Sequence, residues 1–333
     1  MALTRVAING FGRIGRLAAR MLLERDDLEL TAINDLADDE TLTYLFKHDS
    51  TQGTYAQDVS YEPGALRVNG KSIRMTEHRD PNDCKWGEVA DIVLDCTGVF
   101  LTRERCQAHF DSGAKYVLLS APAKDADITT ICVGVNCDSL DPKESPLISN
   151  ASCTTNCVAS PLKALDDAFG LEWGALNTVH AYTISQSLLD SPNSKIRQSR
   201  AAALNLVPSS TGAAKAVGRV LPHLNGKLDG MAIRTPNPSG SIADLTMTFK
   251  NDPTIEQAHA ALAAYAAKHP SVLNFSTDEL VSTDVVGQRY SSIIDSKMTM
   301  KVGPLLKILC WYDNEAGYAA RLVDLAAIVS QRG

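Results

Sequence analysis

Arg5–Val6–Ala7–Ile8–Asn9–Gly10–Phe11–Gly12–Arg13–Ile14–Gly15–Arg16 is the stretch that decides the fold. An apolar run ends in Gly-x-Gly-x-x-Gly, an apolar helical pattern runs from Arg13 to about Glu24, and a second apolar run covers Leu28 to Ile33. Strand, glycine loop, helix and strand make a βαβ unit, the context in which this spacing holds a dinucleotide. Gly10 permits a tight turn, Gly12 lets a pyrophosphate approach the backbone, and Gly15 lets helix and strand pack closely. Phe11, Arg13 and Ile14 complete the loop, and the helix start offers amide donors and a positive dipole end to phosphate. Asp35, 20 residues past Gly15, ends the second strand. Its carboxylate can accept from an adenosine ribose and repels the extra 2′-phosphate of NADP, so NAD is the expected cofactor.

Outward from this unit, Ile92–Val93–Leu94, Tyr116–Val117–Leu118–Leu119 and Ile128–Thr129–Thr130–Ile131–Cys132 read as buried parallel strands. Val68–Asn69–Gly70–Lys71 reads as a hairpin with an Asn-Gly turn. From about Ser152 the pattern changes: a helix follows Cys153, a strand leads into Val179–His180, and Ile242–Thr248 and Lys307–Trp311 alternate like half-exposed antiparallel strands. The expected fold is α/β: a Rossmann-type, mostly parallel doubly wound sheet, plus an α+β catalytic domain with a mixed, largely antiparallel sheet. Residues 1–151 form the first domain, completed by a C-terminal helix in 315–333, and residues 152–314 form the second.

The 333 residues suit about two domains of roughly 150 residues. With 44% hydrophobic and 21% charged residues the chain is neither fibrous nor disordered. A net charge of −7 and the lack of any basic run argue against nucleic acid as a partner. No apolar stretch approaches the roughly 20 residues that cross a bilayer, and the first residues lack a signal-peptide layout, so the expected location is cytoplasmic, with no membrane partner. The eight cysteines lack zinc-site spacing, so no metal is expected and most read as buried thiols.

In Ser149–Asn150–Ala151–Ser152–Cys153–Thr154–Thr155–Asn156–Cys157, Ser152 reads as an N-cap, which puts Cys153 in the first helical turn. The helix dipole there should lower the thiol pKa below about 8.5, which makes Cys153 the nucleophile candidate. Cys157, one turn deeper, reads as core. Among the seven histidines, His180 at a strand end is the candidate partner for the sulfur. A lone strand-end histidine is more often structural, and His48, His78, His109, His223, His259 and His269 are read that way.

These residues carry a resemblance. INGFGRIGR from Ile8, IND from Ile33, DSTQG from Asp49, SNASCTTNC from Ser149, VHAYT from Val179, the run from Ser210 to Leu228 and WYDNEAGY from Trp311 are together very specific. The chain resembles, from end to end, the phosphorylating glyceraldehyde-3-phosphate dehydrogenases of bacterial and eukaryotic type. The likeness implies an acyl-accepting Cys153, His180 as base, and an NAD site lined by the Gly10–Gly15 loop, Asp35, Arg79, Ser120, Asn314 and Tyr318. It also implies that Ser152, Thr154, Thr183, Thr211, Gly212 and Arg234 hold the substrate phosphate and inorganic phosphate, with Arg197 and Arg200 as further candidates. Oxidation of glyceraldehyde 3-phosphate would leave a thioester that phosphate displaces, in a homotetramer of the glycolytic kind.

Some positions depart from the family pattern. Ala316 stands where the family usually has Trp, the run Thr235–Gly240 is unusual, and Ser191 sits in a loop that in plastid relatives helps admit NADP. The alternatives are an erythrose-4-phosphate dehydrogenase, in which the thioester is hydrolysed, and a non-catalytic NAD-binding scaffold.

Overall fold

The computed structural model describes residues 3–333. One unit holds the described chain up to Ile131, with Cys137–Ala151 and Ala319–Gly333; the other holds Cys132–Asn136 and Ser152–Tyr318. The first unit contains strands β1 (Thr4–Asn9), β2 (Leu28–Asn34), β3 (His48–Asp49), β4 (Gly53–Thr54), β5 (Val59–Glu62), β6 (Ala65–Val68), β7 (Lys71–Thr76), β8 (Ile92–Asp95), β9 (Tyr116–Leu119), β10 (Thr129–Thr130) and β11 (Leu147–Ser149). Its helices are α1 (Arg13–Leu22), α2 (Asp39–Lys47), α3 (Trp86–Val89) and α4 (Arg103–Asp111).

Nine of these strands form one sheet in the order β10-β11-β9-β8-β1-β2-β7-β6-β5, parallel except for the β5–β6 and β6–β7 pairings. Val6, Ala7 and Ile8 on β1 and Ile92, Val93 and Leu94 on β8 are all fully buried, as expected of parallel strands covered on both faces. Between β6 and β7, Asn69 and Gly70 both take positive φ, the backbone of a two-residue hairpin turn. The run from Ile128 makes only the short β10, because the Cys132 amide turns to Asn136 Oδ1 at 2.9 Å and leaves the ladder. The chain leaves β1 toward β2 on one side and meets β8 on the other. Such a switch point opens a ligand crevice at the carboxyl ends of the strands, where Gly10, Asp35 and Ser120 all lie.

The second unit carries α5 (Cys153–Phe169), β12 (Leu171–Ala181), β13 (Val207–Ser210), α6 (Ala213–Val220), β14 (Leu228–Thr235), β15 (Ser241–Phe249), α7 (Ile255–Lys268), β16 (Leu273–Ser276), β17 (Ser292–Val302), β18 (Leu305–Tyr312) and the first turn of α8 (Ala316–Arg332). Its seven strands run β13-β14-β12-β15-β18-β17-β16, with β12–β14 and β16–β17 parallel and the other pairs antiparallel. β15 alternates buried and half-buried residues along its length, so one face of this sheet takes the helices and the other does not. Among the described residues no helix is long and apolar enough to cross a membrane.

Candidate active site

In the first unit, local sterics shape the glycine loop. Gly10 has φ +93°, and a Cβ there would lie 2.8 Å from Cys96 C and Thr97 N; a Cβ on Gly15 would lie 2.2 Å from Gly10 O. Around Gly12, by contrast, nothing lies within 4 Å of a Cβ, so its missing side chain leaves open space above the backbone. Helix α1 starts at Gly12 with no side-chain cap and no acidic residue in its first turn, which leaves its positive end to an anion. Asp35 Oδ2 accepts from the Phe11 amide at 2.6 Å and Oδ1 from the Ala37 amide at 3.1 Å, so the carboxylate is fixed beside the loop. Arg13 reaches Thr51 Oγ1 at 3.0 Å, Ser120 directly follows β9 with its amide donating to Asp95 O, and Arg79 is exposed past β7. An open, uncapped loop beside a fixed acid fits the pyrophosphate and ribose of NAD.

Ala151, the last residue of the first unit's Cys137–Ala151 segment, takes φ +56°, a turn that costs a non-glycine residue of the order of 1 kcal/mol, and the second unit's α5 follows directly. Ser152 caps the helix, its Oγ accepting from the Thr155 amide at 3.0 Å. Cys153 follows, and its Sγ lies 3.4 Å from His180 Nε2. His180 ends β12 with its Nδ1 2.7 Å from Ala181 O; a proton on Nδ1 donated to that carbonyl leaves the Nε2 lone pair facing the sulfur. The Tyr312 ring stands edge-on to the imidazole at 5.9 Å and 78°. The Tyr312 hydroxyl bridges Thr154 Oγ1 at 2.9 Å and Thr178 Oγ1 at 2.8 Å, joining the head of α5 to the strand that carries the base.

The electrostatics differ from the expectation of a thiol lowered by its helix. Burial pushes the Cys153 thiol up, against the pull of Arg234, the Thr154 hydroxyl and the backbone amides. Burial, reinforced by Arg234, drives His180 down to about 3. A low-dielectric setting disfavours net charge on either partner. The pair therefore keeps one proton between Sγ and Nε2, and the thiolate is reached by moving that proton along the contact instead of into water. Cys157 is fully buried, in line with its reading as core.

The β12–β14 register sets Arg234 directly beside His180: its Nη1 donates to Ala181 O at 3.0 Å, the carbonyl that also takes the Nδ1 proton, and at 2.8 Å from Nδ1 it acts on the ring through its charge. Thr211 accepts from the Ala213 amide at the head of α6, which opens at Gly212 without a side-chain cap. Thr183 pairs with Ser185 at 3.0 Å. Arg200 is tied to Asp190 at 2.9 Å, whereas Arg197 is exposed in a single 3-10 turn. Asn314 and Tyr318 are buried in the second unit, as is Ala316, whose amide donates to Asp313 Oδ1 at 3.0 Å. The unusual run after Arg234 is held locally, Asn237 donating to Ser239 O and Gly240 O.

Sequence reasoning missed Ser241 and Tyr312. Ser241 Oγ accepts from the Ala181 amide at 3.1 Å and donates to Asn314 Oδ1 at 2.9 Å, linking the peptide that orients His180 to the Asn314 amide. A buried serine opening an alternating strand carries no local signal of this; the aromatic in WYDNEAGY was a visible hint of Tyr312, but its two threonine partners were not.

Residues 4–103 match the family profile described as glyceraldehyde 3-phosphate dehydrogenase, NAD binding domain, and residues 152–314 match the one described as its C-terminal domain. A glyceraldehyde-3-phosphate dehydrogenase of Geobacillus stearothermophilus is 48% identical over 332 residues, covering 99% of both chains. Glyceraldehyde-3-phosphate dehydrogenase 1 of Streptomyces avermitilis is 45% identical over 328 residues, 98% of both chains. A Clostridium pasteurianum relative of the same name is 47% identical over 96% of this chain and 97% of its own. Matched in both halves and sharing nearly half its positions with relatives of equal length, this chain belongs to the glyceraldehyde-3-phosphate dehydrogenase family.

Proposed function

We propose that the chain catalyses NAD-dependent oxidative phosphorylation of D-glyceraldehyde 3-phosphate to 1,3-bisphosphoglycerate, through a thioester on Cys153. The observation that carries this reading is the 3.4 Å contact of Sγ with Nε2 at the start of α5. Sγ passes its proton to Nε2 and bonds to the aldehyde carbon, and His180 returns the proton to the carbonyl oxygen, giving a hemithioacetal. His180 then removes that hydroxyl proton as the C=O bond re-forms and hydride leaves the carbon. Bound NAD supplies the hydride acceptor. Phosphate attacks the resulting thioester and loses its hydroxyl proton to water, the C–S bond breaks, and the proton held on His180 Nε2 returns to the departing sulfur, restoring the Cys153 thiol and the neutral imidazole. Sulfur overlaps poorly with the carbonyl, so the acyl group stays transferable, which an oxygen ester on Ser would not allow.

The Gly10–Gly15 loop, Asp35, Arg79 and Ser120, with Asn314 and Tyr318, are assigned to NAD. The domain carrying the loop comprises 1–151 with the helix in 315–333, and 152–314 is the catalytic domain. Ser152, Thr154, Thr183, Thr211, Gly212, Arg197 and Arg234 are assigned to the two anions, a guanidinium fork and an uncapped helix start being good phosphate donors. Arg197 is preferred over Arg200 because Asp190 already engages Arg200. A cytoplasmic homotetramer is proposed. Ile184, Leu188, Leu189, Ile196, Leu204 and Leu206 are 68–102% exposed, an apolar segment suited to a second copy. The test is steady-state turnover with and without phosphate, with NAD and with NADP. NADH formation that requires phosphate and is lost in Cys153→Ser is expected; phosphate-dependent turnover retained in that variant would overturn the mechanism.

A further inference from the structure

Below the glycine loop runs a buried polar chain that the chemistry above does not use. Thr76 Oγ1 donates to Asn34 Oδ1 at 2.8 Å, Asn34 Nδ2 to Asn9 Oδ1 at 2.8 Å, and Asn9 Nδ2 to Asp95 Oδ2 at 2.8 Å. His109 Nε2 lies 3.2 Å from the same Asp95 oxygen, and Trp86 Nε1 lies 3.0 Å from His109 Nδ1. Asn9, Asn34, Asp95 and His109 are each at most 3% exposed. The chain thus crosses the carboxyl ends of β7, β2, β1 and β8 and ends on α4 and α3.

The proton positions follow from chemistry. An indole N–H can only donate, so His109 Nδ1 must accept, and its single proton sits on Nε2 and goes to Asp95. A second proton on Nδ1 would collide with the indole N–H, so Trp86 fixes both the tautomer and the neutrality of His109. Asp95 then holds four neutral donors: Asn9, His109, and the hydroxyl of Thr97 at 2.8 Å with its amide at 3.3 Å. Thr97 is the segment on which Gly10 presses, a Cβ on Gly10 falling 2.8 Å from Thr97 N. The loop is also clamped through the backbone: the Gly10 amide bonds Asn34 O and the Cys96 amide bonds Asn9 O, each at 2.7 Å.

We infer that His109 and Asp95 are positioning residues for NAD: locked by Trp86, they hold Thr97 and Asn9 and so fix the glycine loop in the shape that receives the pyrophosphate. This rests on the NAD reading of the loop, and its readout is cofactor affinity, separate from the Cys153 chemistry. The experiment is NAD titration of the purified full chain by fluorescence, with kcat at saturating NAD, for His109→Phe, His109→Gln and Thr97→Val. His109→Phe should weaken NAD by about tenfold or more with kcat within about twofold, since a buried carboxylate loses a donor. His109→Gln, which keeps a donor at the Nε2 position, should restore most of the affinity. Thr97→Val, which leaves the buried histidine intact, should weaken NAD by about threefold or more. Nitrogen NMR of the histidine-labelled parent should show His109 neutral and protonated on Nε2. Unchanged NAD affinity in His109→Phe or Thr97→Val, no rescue by Gln, or a proton on Nδ1 would each overturn the inference.

Discussion

Replacing His180 with Asn removes the acceptor that sits 3.4 Å from Cys153 Sγ. The thiol must then release its proton to water, and burial works against the charge that is left. With a pKa at or above the ordinary value of about 8.5, roughly 3% or less of the sulfur is thiolate at pH 7. Loss of the base in the oxidation step adds its own penalty, since general base catalysis contributes about 10²–10⁴-fold. Together these put kcat/KM down by roughly 10³-fold or more. Two assays separate the effects: NADH formation, and iodoacetamide alkylation of Cys153 followed by peptide mass spectrometry from pH 5 to 9. In the variant, alkylation should climb about tenfold per pH unit up to pH 8, the signature of a thiol ionising alone. In the parent it should be faster at pH 6 and less steep, because the proton moves within the pair. Parent-like alkylation rate and pH profile in His180→Asn, with the fold intact by circular dichroism, would refute the dyad.

Further consequences are measurable. Asp35→Asn removes the carboxylate assigned above to cofactor choice, and the NADP-to-NAD ratio of kcat/KM should rise about tenfold or more; no change would show that the carboxylate plays no part in cofactor choice. Arg234→Leu should raise KM for glyceraldehyde 3-phosphate by about 10–150-fold, the worth of a charged hydrogen bond of about 1.5–3 kcal/mol; an unchanged KM would remove Arg234 from the anion site. His180 stays neutral in the fold down to about pH 3, whereas an unfolded imidazole takes up a proton near 6.5. The unfolded chain therefore binds more protons across that window, and stability falls as pH drops through it. Between pH 7 and 5, His180→Asn should lose about 2 kcal/mol less unfolding free energy than the parent in urea titrations; equal losses would contradict a neutral buried imidazole.

The glycine loop was legible because its constraints are local: Gly10 needs positive φ and Gly15 has a neighbouring backbone 2.2 Å from where a Cβ would be. The cap at Ser152 and the placing of Cys153 in the first turn were likewise short-range, and both stand in the structure. The proton state of the sulfur was not legible, since the helix dipole can be read from position but burial depends on what packs against the residue. Arg234 beside His180 comes from the β12–β14 register across more than 50 positions, which no local spacing encodes. His109 looked like an ordinary buried histidine because Trp86 and Asp95 lie 23 and 14 residues away on other elements. What sequence shows well is what one turn of chain decides; cross-strand partners need the sheet.

The most direct measurement is capture of the acyl-enzyme. The full chain is mixed with glyceraldehyde 3-phosphate and excess NAD in phosphate-free buffer, quenched in acid and mapped by peptide mass spectrometry, with a parallel sample chased by inorganic phosphate. A 3-phosphoglyceroyl adduct on the peptide carrying Cys153, equal in amount to the NADH burst and discharged by phosphate, is the expected result. An adduct on another cysteine, or an NADH burst with Cys153 unmodified, would contradict thioester catalysis at this sulfur.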